Sequence, residues 1–418
     1  MASPKDQLVS QQYEGYPYPA RNPADERKRL IEGSPSDLAE IRHYLFAGGL
    51  PDTGGEPIRA LIAGGGTGDA AIMLAQHCAA AGLNAEITYL DLSAASRRIT
   101  EERAKVRSLT NLRFVSGSLL EAGTLSPGPY DYIDCCGVLH HLDDPTAGLQ
   151  SLVTVLKPTG GMGLMVYGEY GRRGVYEMQE ALRTFAPADL PDAERIARTK
   201  RLLGRLPKTN GLRRNPFVQD HQNGGDAGIY DLLLHARDRA YSVTEFAAMI
   251  EAAGLGITSF ITPATYAPEA YLNDPALLAS VNSLSMVERA AIAEAIAGNL
   301  RKHVVYAAPA DRAAEAVASP LDMALVPTLH RQQAKPLAEA LRKGRLQVNL
   351  DGFDATFAAP PRAAAVTARI NGHRSLTEIA ADIQQADPAL SAPESKRIVQ
   401  KTFEYLNNLN IALLMSNQ

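Results

Sequence analysis

The sequence has no tryptophan and only three cysteines, Cys78, Cys135 and Cys136. Three thiols without CxxC spacing exclude a disulfide framework and a cysteine-ligated structural zinc. The adjacent pair Cys135 and Cys136 sits in an apolar run and reads as small buried hydrophobes. Long apolar runs are also missing. Stretches such as Gly161 to Tyr167 fall far short of the roughly 20 residues that cross a bilayer, and no apolar signal segment opens the chain. A cytoplasmic protein without a membrane partner is expected. Neither sign of charge dominates: the net charge is -4, so no global field favours nucleic acid as a partner. Internal repeats are absent. What remains is an ordinary globular balance, 45% hydrophobic and 21% charged. At 418 residues, and roughly 150 per domain, two or three units are expected.

From Ile58 to Tyr167 short β-rich runs alternate with helical patterns, the rhythm of parallel strands joined by crossover helices. The expected strands are Ile58–Ala63, Glu86–Asp91, Leu112–Ser116, Tyr130–Cys135 and Met162–Tyr167. Helical spacing appears in Ala70 to Ala81, Ser93 to Arg107 and Pro145 to Leu156, with Lys157-Pro158 ending the last. After Tyr167 the rhythm breaks, and residues 172–240 read as an inserted lid. Ser242-Val-Thr-Glu245 and Ser285 to Glu288 are capping-box patterns that open further helices. Ile257 to Ile261 and His303 to Ala308 supply two more strands. The expectation is an α/β, doubly wound, Rossmann-like sheet of seven strands within residues 51–310. An N-terminal arm or helical cap, 1–50, precedes it. A smaller, mostly helical C-terminal domain, 311–418, follows with a winged-helix-like pattern.

Directly after the first strand stands Gly64-Gly65-Gly66-Thr67-Gly68. A GxGxG turn between strand and helix lets backbone approach a ligand and offers the free N–H groups of a helix start. Asp91, 23 residues beyond Gly68, closes the second strand, where a carboxylate can accept both ribose hydroxyls of an adenosine. The alternative role, capping the next helix, is already available from Ser93. Downstream come Tyr130-Asp-Tyr-Ile-Asp-Cys-Cys-Gly-Val-Leu-His-His-Leu142 and Leu156-Lys-Pro-Thr-Gly-Gly161.

In order and spacing, over residues 55 to 310, this set resembles the class I S-adenosylmethionine-dependent methyltransferases. The resemblance implies S-adenosylmethionine as cofactor and S-adenosylhomocysteine as product. It implies that Gly64 to Gly68 wrap the methionine and ribose portions. Asp91 with Leu92 would take the ribose, Ser118 and Leu119 the adenine side, and Gly137, Val138 and Leu139 the surroundings of the sulfonium. Two positions depart from the family pattern. Ile62 stands where an acidic residue often precedes the glycines, and Ser118 stands where an aspartate often meets adenine. The Ile62 pattern is similar to that of aminopropyltransferases, whose acidic fourth-strand signature is absent here.

Methyl transfer from a sulfonium is an in-line displacement, helped chiefly by alignment and exclusion of water. His140 and His141 are the titratable candidates beside the methyl group, either as a base or as packing under the loop. Glu169 and Tyr170 leave the fifth strand at the expected acceptor side, and His221 lies in the lid; all three join the catalytic candidates. Tyr16, Tyr18 and Arg21 of the arm Tyr13-Glu-Gly-Tyr-Pro-Tyr-Pro-Ala-Arg21, together with Tyr167, are substrate candidates, because tyrosine faces can contact a cation. The arm reads equally as a strap packed on the domain. Asp220, His221 and Asp231 show no recognisable ligand spacing, and no metal is expected. Arg195 to Arg214 carries eight basic residues and no acidic one, which fits a site for a phosphate-bearing substrate or RNA but reads first as a solvated lid helix with Ile196, Leu202, Leu203 and Leu206 turned inward.

The function expected is methylation of a small molecule or a protein side chain, with a homodimer as one role for the C-terminal unit. The alternative is a catalytically silent cofactor-binding scaffold whose C-terminal module binds a partner. A nicotinamide dehydrogenase would call for GxGxxG, whereas Gly64 to Asp69 has no third glycine at that spacing.

Overall fold

The computed structural model describes residues 12–417, so the first eleven residues of the expected arm lie outside the described ones. Seven strands form one sheet: β1 Ile58–Ala63, β2 Ala85–Asp91, β3 Leu112–Ser116, β4 Tyr130–Cys136, β5 Leu156–Tyr167, β6 Leu255–Phe260 and β7 Lys302–Pro309. Their order is β3-β2-β1-β4-β5-β7-β6. β1 to β5 pair in parallel, and β6 pairs antiparallel to β7. The expected Rossmann-like α/β sheet is thus present, and its order reverses beside β1, where such sheets bind ligands at the carboxyl ends of their strands. Central strands are buried on both faces: Leu61, Ile62, Ile87, Leu90, Ile133, Met162 and Leu164 are all 1% exposed or less.

Crossover helices α1 (Asp69–Ala80), α2 (Ala94–Val106) and α3 (Pro145–Val153) follow β1, β2 and β4. Ser93 caps α2 by accepting from the Ser96 N–H, and Asp144 caps α3 ahead of Pro145. One expected boundary moves. α3 stops at Val153, and Lys157-Pro158-Thr-Gly-Gly161 opens β5 instead of ending a helix. The register shifts there between Tyr130 and Tyr132, giving a bulge that accommodates a proline with no N–H to donate.

The chain divides into two compact units. The first comprises the described part of residues 1–37, with 53–253 and 298–304; the second comprises 38–52, 254–297 and 305–418. Within the first unit, the segment after β5 folds into helices α4 (Val175–Phe185), α5 (Asp192–Leu203) and α6 (Gly225–Leu233). These share an apolar cluster of their own, including Val175, Leu182, Ile196, Leu212, Ile229 and Leu232, with Leu202 and Leu203 packed against it. Arg198 and Lys200 pair with Glu194 and Asp226 on the outer side of α5. Helix α7 (Val243–Ala252) begins with the expected capping box, in which Ser242 and Glu245 satisfy each other's backbone N–H groups.

The second unit has its own core of Leu337, Leu341, Leu376, Ile379, Val399, Phe403 and Leu406. After β7 its strands pair as two antiparallel ribbons, Arg345–Leu350 with Phe353–Ala358 and Val326–Leu329 with Ala412–Met415. Helices Leu376–Ala386 and Ala392–Asn408 each open with a Ser-x-x-Glu box. No helix among the described residues is long and apolar enough to cross a membrane.

Candidate active site

The turn after β1 is shaped by its glycines. Gly64 has φ +76°, and a Cβ there would lie 2.3 Å from Val138 Cγ2, so only glycine fits against the loop after β4. Gly68, at φ +96°, begins α1, and a Cβ there would meet Thr100 at 2.4 Å. Neighbouring side chains hold the turn from below. Tyr89 donates its hydroxyl to the Gly66 carbonyl at 2.7 Å, and Arg103 donates to the Thr67 carbonyl at 2.6 Å. Arg103 is almost fully buried, and it also grips Glu26 and Asp69, each at 2.7 Å. Arg21 reaches Asp69 from the arm at 2.6 Å.

Around this turn lies a cavity of about 760 Å³, within the size range of small-molecule sites. Its lining joins the glycine turn, Asp91 and Leu92, Gly117 to Glu121, Gly137 and Val138, and Tyr13, Tyr18 and Pro19 of the arm. The Asp91 carboxylate accepts the Gly66 N–H at 2.7 Å and the Ser93 N–H at 2.8 Å. Burial pushes Asp91 above the usual carboxylate range, against the pull of these N–H groups. Each of its oxygens retains acceptor capacity toward the cavity. Ser118 also lines the cavity, while its hydroxyl accepts from Leu120 N.

Among the cavity residues that the sequence reading did not assign to the site are Asp134 and Cys136. Asp134 on β4 stands in register with Ile62 on β1 and presents a carboxylate where the glycine turn's own strand has only an alkyl chain. It accepts from Ser36 Oγ at 2.8 Å, is buried, and is pushed up to about 7, chiefly by that burial. Cys136 lines the cavity beside it; burial pushes its thiol up to about 12, so it stays protonated at neutral pH.

A second part of the cavity wall is polar and comes from the arm, the loop after β4 and the inserted helices. Tyr13 Oη lies 3.0 Å from Asp231 Oδ1, 3.2 Å from His235 Nε2 and 3.5 Å from His141 Nε2. Tyr167 Oη is 3.4 Å from Asp231 Oδ2. Behind Tyr167, the Arg172 guanidinium stacks 3.6 Å from its ring centroid and pairs with buried Asp238 at 3.0 Å. Tyr18 donates to Asp220 at 2.8 Å.

The sequence candidates fall in different places. His141 lines the cavity; His140 is buried, stacked 3.9 Å from the Tyr167 ring, and neither of its ring nitrogens has a partner among the described residues. Burial pushes the His140 pKa well below the usual imidazole value, so it is neutral. Leu139 is fully buried in the core beneath the loop and does not line the cavity. Glu169 is exposed, Tyr170 is covered by Arg173, and half-buried His221 lies beside Gln222; none of the three lines the cavity. In the arm, Tyr16 stacks on Tyr230 at 4.8 Å and Arg21 clamps the start of α1, while Tyr18 and Tyr167 line the cavity.

Residues 61–162, which span the turn, Asp91 and the loop after β4, match a family model described as a methyltransferase domain. An uncharacterized protein of Synechococcus sp. is 31% identical over 261 residues, covering 61% of this chain and 60% of that protein. The tRNA 5-carboxymethoxyuridine methyltransferase of Escherichia coli K12 is 30% identical over 123 residues, 29% of this chain and 45% of that enzyme. The chain therefore spans less than two thirds of the length of these relatives. Among solved structures, PKMT2 from Rickettsia typhi has a TM-score of 0.61 at 14% identity, covering 92% of this chain and 76% of that one. Its complex with AdoHcy gives 0.58, and at such identity the likeness is one of fold.

Residues 61–162 thus match a methyltransferase domain, set on a Rossmann-like sheet. The cofactor of that domain is S-adenosylmethionine, with S-adenosylhomocysteine as the product.

Proposed function

We propose that the protein transfers a methyl group from S-adenosylmethionine to a nucleophilic atom of a small molecule or a protein side chain. The observation that carries this reading is one cavity that joins the glycine turn, Asp91 and the loop after β4 to a polar wall of Tyr13, Tyr167, His141 and Asp231.

Asp91 takes the two ribose hydroxyls, and the apolar rim of Leu92, Leu119 and Leu120 encloses the adenine. Asp134 accepts from the ammonium of the cofactor's amino-acid end, supplying from β4 the carboxylate that Ile62 lacks on β1. In a parallel sheet, residues in register on adjacent strands face the same side, which supports the exchange. When bound, S-adenosylmethionine supplies an electrophilic methyl on a sulfonium. Gly137 and Val138 border that position without crowding it. Tyr13 and Tyr18 of the arm cover the site against water, and the hydrogen bond from Thr67 Oγ1 to the Pro19 carbonyl at 2.8 Å ties the arm to the turn. The inserted helices bring Asp231 to the acceptor side.

Labelled S-adenosylmethionine added to a lysate that is then split into protein, nucleic-acid and small-molecule fractions tests this reading. Label in the protein or small-molecule fraction, lost with Asp91→Ala, is the expected result. Binding of the cofactor with no label in any fraction would transfer support to the silent scaffold.

A further inference from the structure

Tyr13, Asp231, His235 and His141 come from three distant parts of the chain and converge on one phenolic oxygen at the cavity wall. Buried polar groups are costly unless they satisfy one another, and a closed network of them holds its members in one arrangement.

The backbone around Arg237 fixes both imidazole tautomers. His141 Nδ1 lies 2.8 Å from the Arg237 carbonyl, which can only accept, so Nδ1 carries the proton and Nε2 presents a lone pair. His235 is the reverse. Its Nδ1 accepts the Arg237 N–H at 3.0 Å, so its proton sits on Nε2 and is donated to Tyr13 Oη. The Tyr13 O–H then has two acceptors in reach and donates to the nearer, Asp231 Oδ1 at 3.0 Å, over His141 Nε2 at 3.5 Å. The two imidazoles stack at 3.9 Å, and burial holds both below the ordinary histidine value, which keeps them neutral.

We infer that Tyr13 and Asp231 form a proton relay that deprotonates the methyl acceptor: the acceptor's N–H or O–H passes its proton to Tyr13 Oη while the Tyr13 proton moves to Asp231. This rests on the methyl-transfer reading above. The proton lost by the acceptor ends on the Asp231 carboxylate as the acceptor gains a methyl from S-adenosylmethionine, so charge and atoms balance. Tyr13 never accumulates as phenolate, consistent with burial and the Asp231 charge raising its pKa. His235 is a positioning residue, orienting the phenol toward Asp231.

The charges around Asp231 suit a base at neutral pH. Burial and Asp238 raise its pKa, with a smaller push from Asp220, while the Tyr13 hydrogen bond and Arg172 lower it, leaving it at about 7. Tyr167 donates to the second oxygen. The same cluster has the residue types of a metal site, since ligand atoms of His141, Asp231 and His235 lie within 4.8 Å of one another. The His235 tautomer argues for the relay. Its Nε2, the atom that a metal would need, carries the proton.

The pH dependence of methyl transfer by wild type, Asp231→Asn and Tyr13→Phe, together with infrared spectra of the unliganded protein, tests the relay. Wild-type kcat should rise through about pH 7. Each variant should lose about 100-fold or more of kcat and lose that rise, with S-adenosylhomocysteine affinity held within about threefold. His235→Gln, which keeps an N–H donor, should retain more activity than His235→Phe. The infrared readout needs no turnover: a protonated-carboxyl band present in wild type at pH 5 and absent in Asp231→Asn should vanish as pH passes 7. An unchanged pH profile in both variants, or an Asp231 already ionised at pH 5, overturns the relay. So does a stoichiometric metal whose retention needs His141 and His235. A wild-type protein that transfers no methyl group, yet shows the infrared transition, refutes the activity and leaves the proton assignment standing.

Discussion

Asp134→Asn should move stability and cofactor affinity in opposite directions, because this carboxylate is unfavourable in the empty fold and useful only against a cation. Its pKa of about 7 lies roughly three units above the ordinary carboxylate value of 3.8, with burial as the chief cause. At about 1.4 kcal/mol per unit, ionised Asp134 costs the unliganded protein up to about 4 kcal/mol well above pH 7. The sign follows from linkage. A raised folded pKa means that the folded state holds the proton more tightly, so stability falls as pH climbs from about 4 to about 7. An amide is nearly isosteric and can still accept from Ser36, losing about 1 kcal/mol for one hydrogen bond that its nitrogen cannot accept. The variant should therefore be more stable than wild type by about 3 kcal/mol near pH 8.5, and by less than about 1 kcal/mol at pH 5. In a thermal melt near pH 8.5 this is an increase of roughly 6–12 °C. Cofactor binding should weaken by about 10- to 100-fold, the loss of one charge-assisted hydrogen bond. The wild-type affinity should tighten between pH 6 and 8, whereas that of the variant stays flat. Melts and calorimetric titrations on the same samples read both quantities. A variant that binds S-adenosylmethionine as tightly as wild type at pH 8, or that melts below it there, would refute the role given to Asp134.

Gly64→Ala places a Cβ 2.3 Å from Val138 at φ +76°. The backbone strain alone is about 1–2 kcal/mol, and calorimetry should show cofactor affinity reduced at least about tenfold with the fold retained by circular dichroism. Arg103→Met leaves Glu26 and Asp69 without their buried partner and should destabilise the first unit by about 3–5 kcal/mol in urea unfolding; a loss under about 1 kcal/mol would contradict the structural role given to that network. Ser242→Ala removes the side-chain half of the α7 capping box and should cost about 1 kcal/mol by the same assay, without altering cofactor affinity.

The parallel sheet was legible because its strands are short apolar runs punctuated by glycine and capping residues, and those local signals suffice to place β1 to β4. The start of β5 was not. Lys157-Pro158 has the look of a helix stop, and only pairing with β4 shows that the proline occupies a bulge. The glycine turn and Asp91 could be read as a set because their spacing along the chain reflects one strand–helix–strand unit. Asp134 could not, since its relation to Ile62 is one of sheet register and not of sequence distance. Tyr13 and Asp231 were visible as residues of an aromatic arm and a polar lid. Their meeting, 218 positions apart, depends on how the inserted helices fold, and His235 and Arg172 carry no spacing signal at all. Glu169 and Tyr170 follow the strand that points toward the cavity, yet the chain turns outward after Tyr167 and leaves them on the surface side.

Titration of S-adenosylhomocysteine into the purified protein, with Asp91→Ala and a parallel titration of NAD, tests the central claim most directly. One site per chain, weakened at least about tenfold in the variant and not filled by NAD, is the predicted result. A folded protein that takes up no S-adenosylhomocysteine, or that binds it equally well without Asp91, would contradict the account.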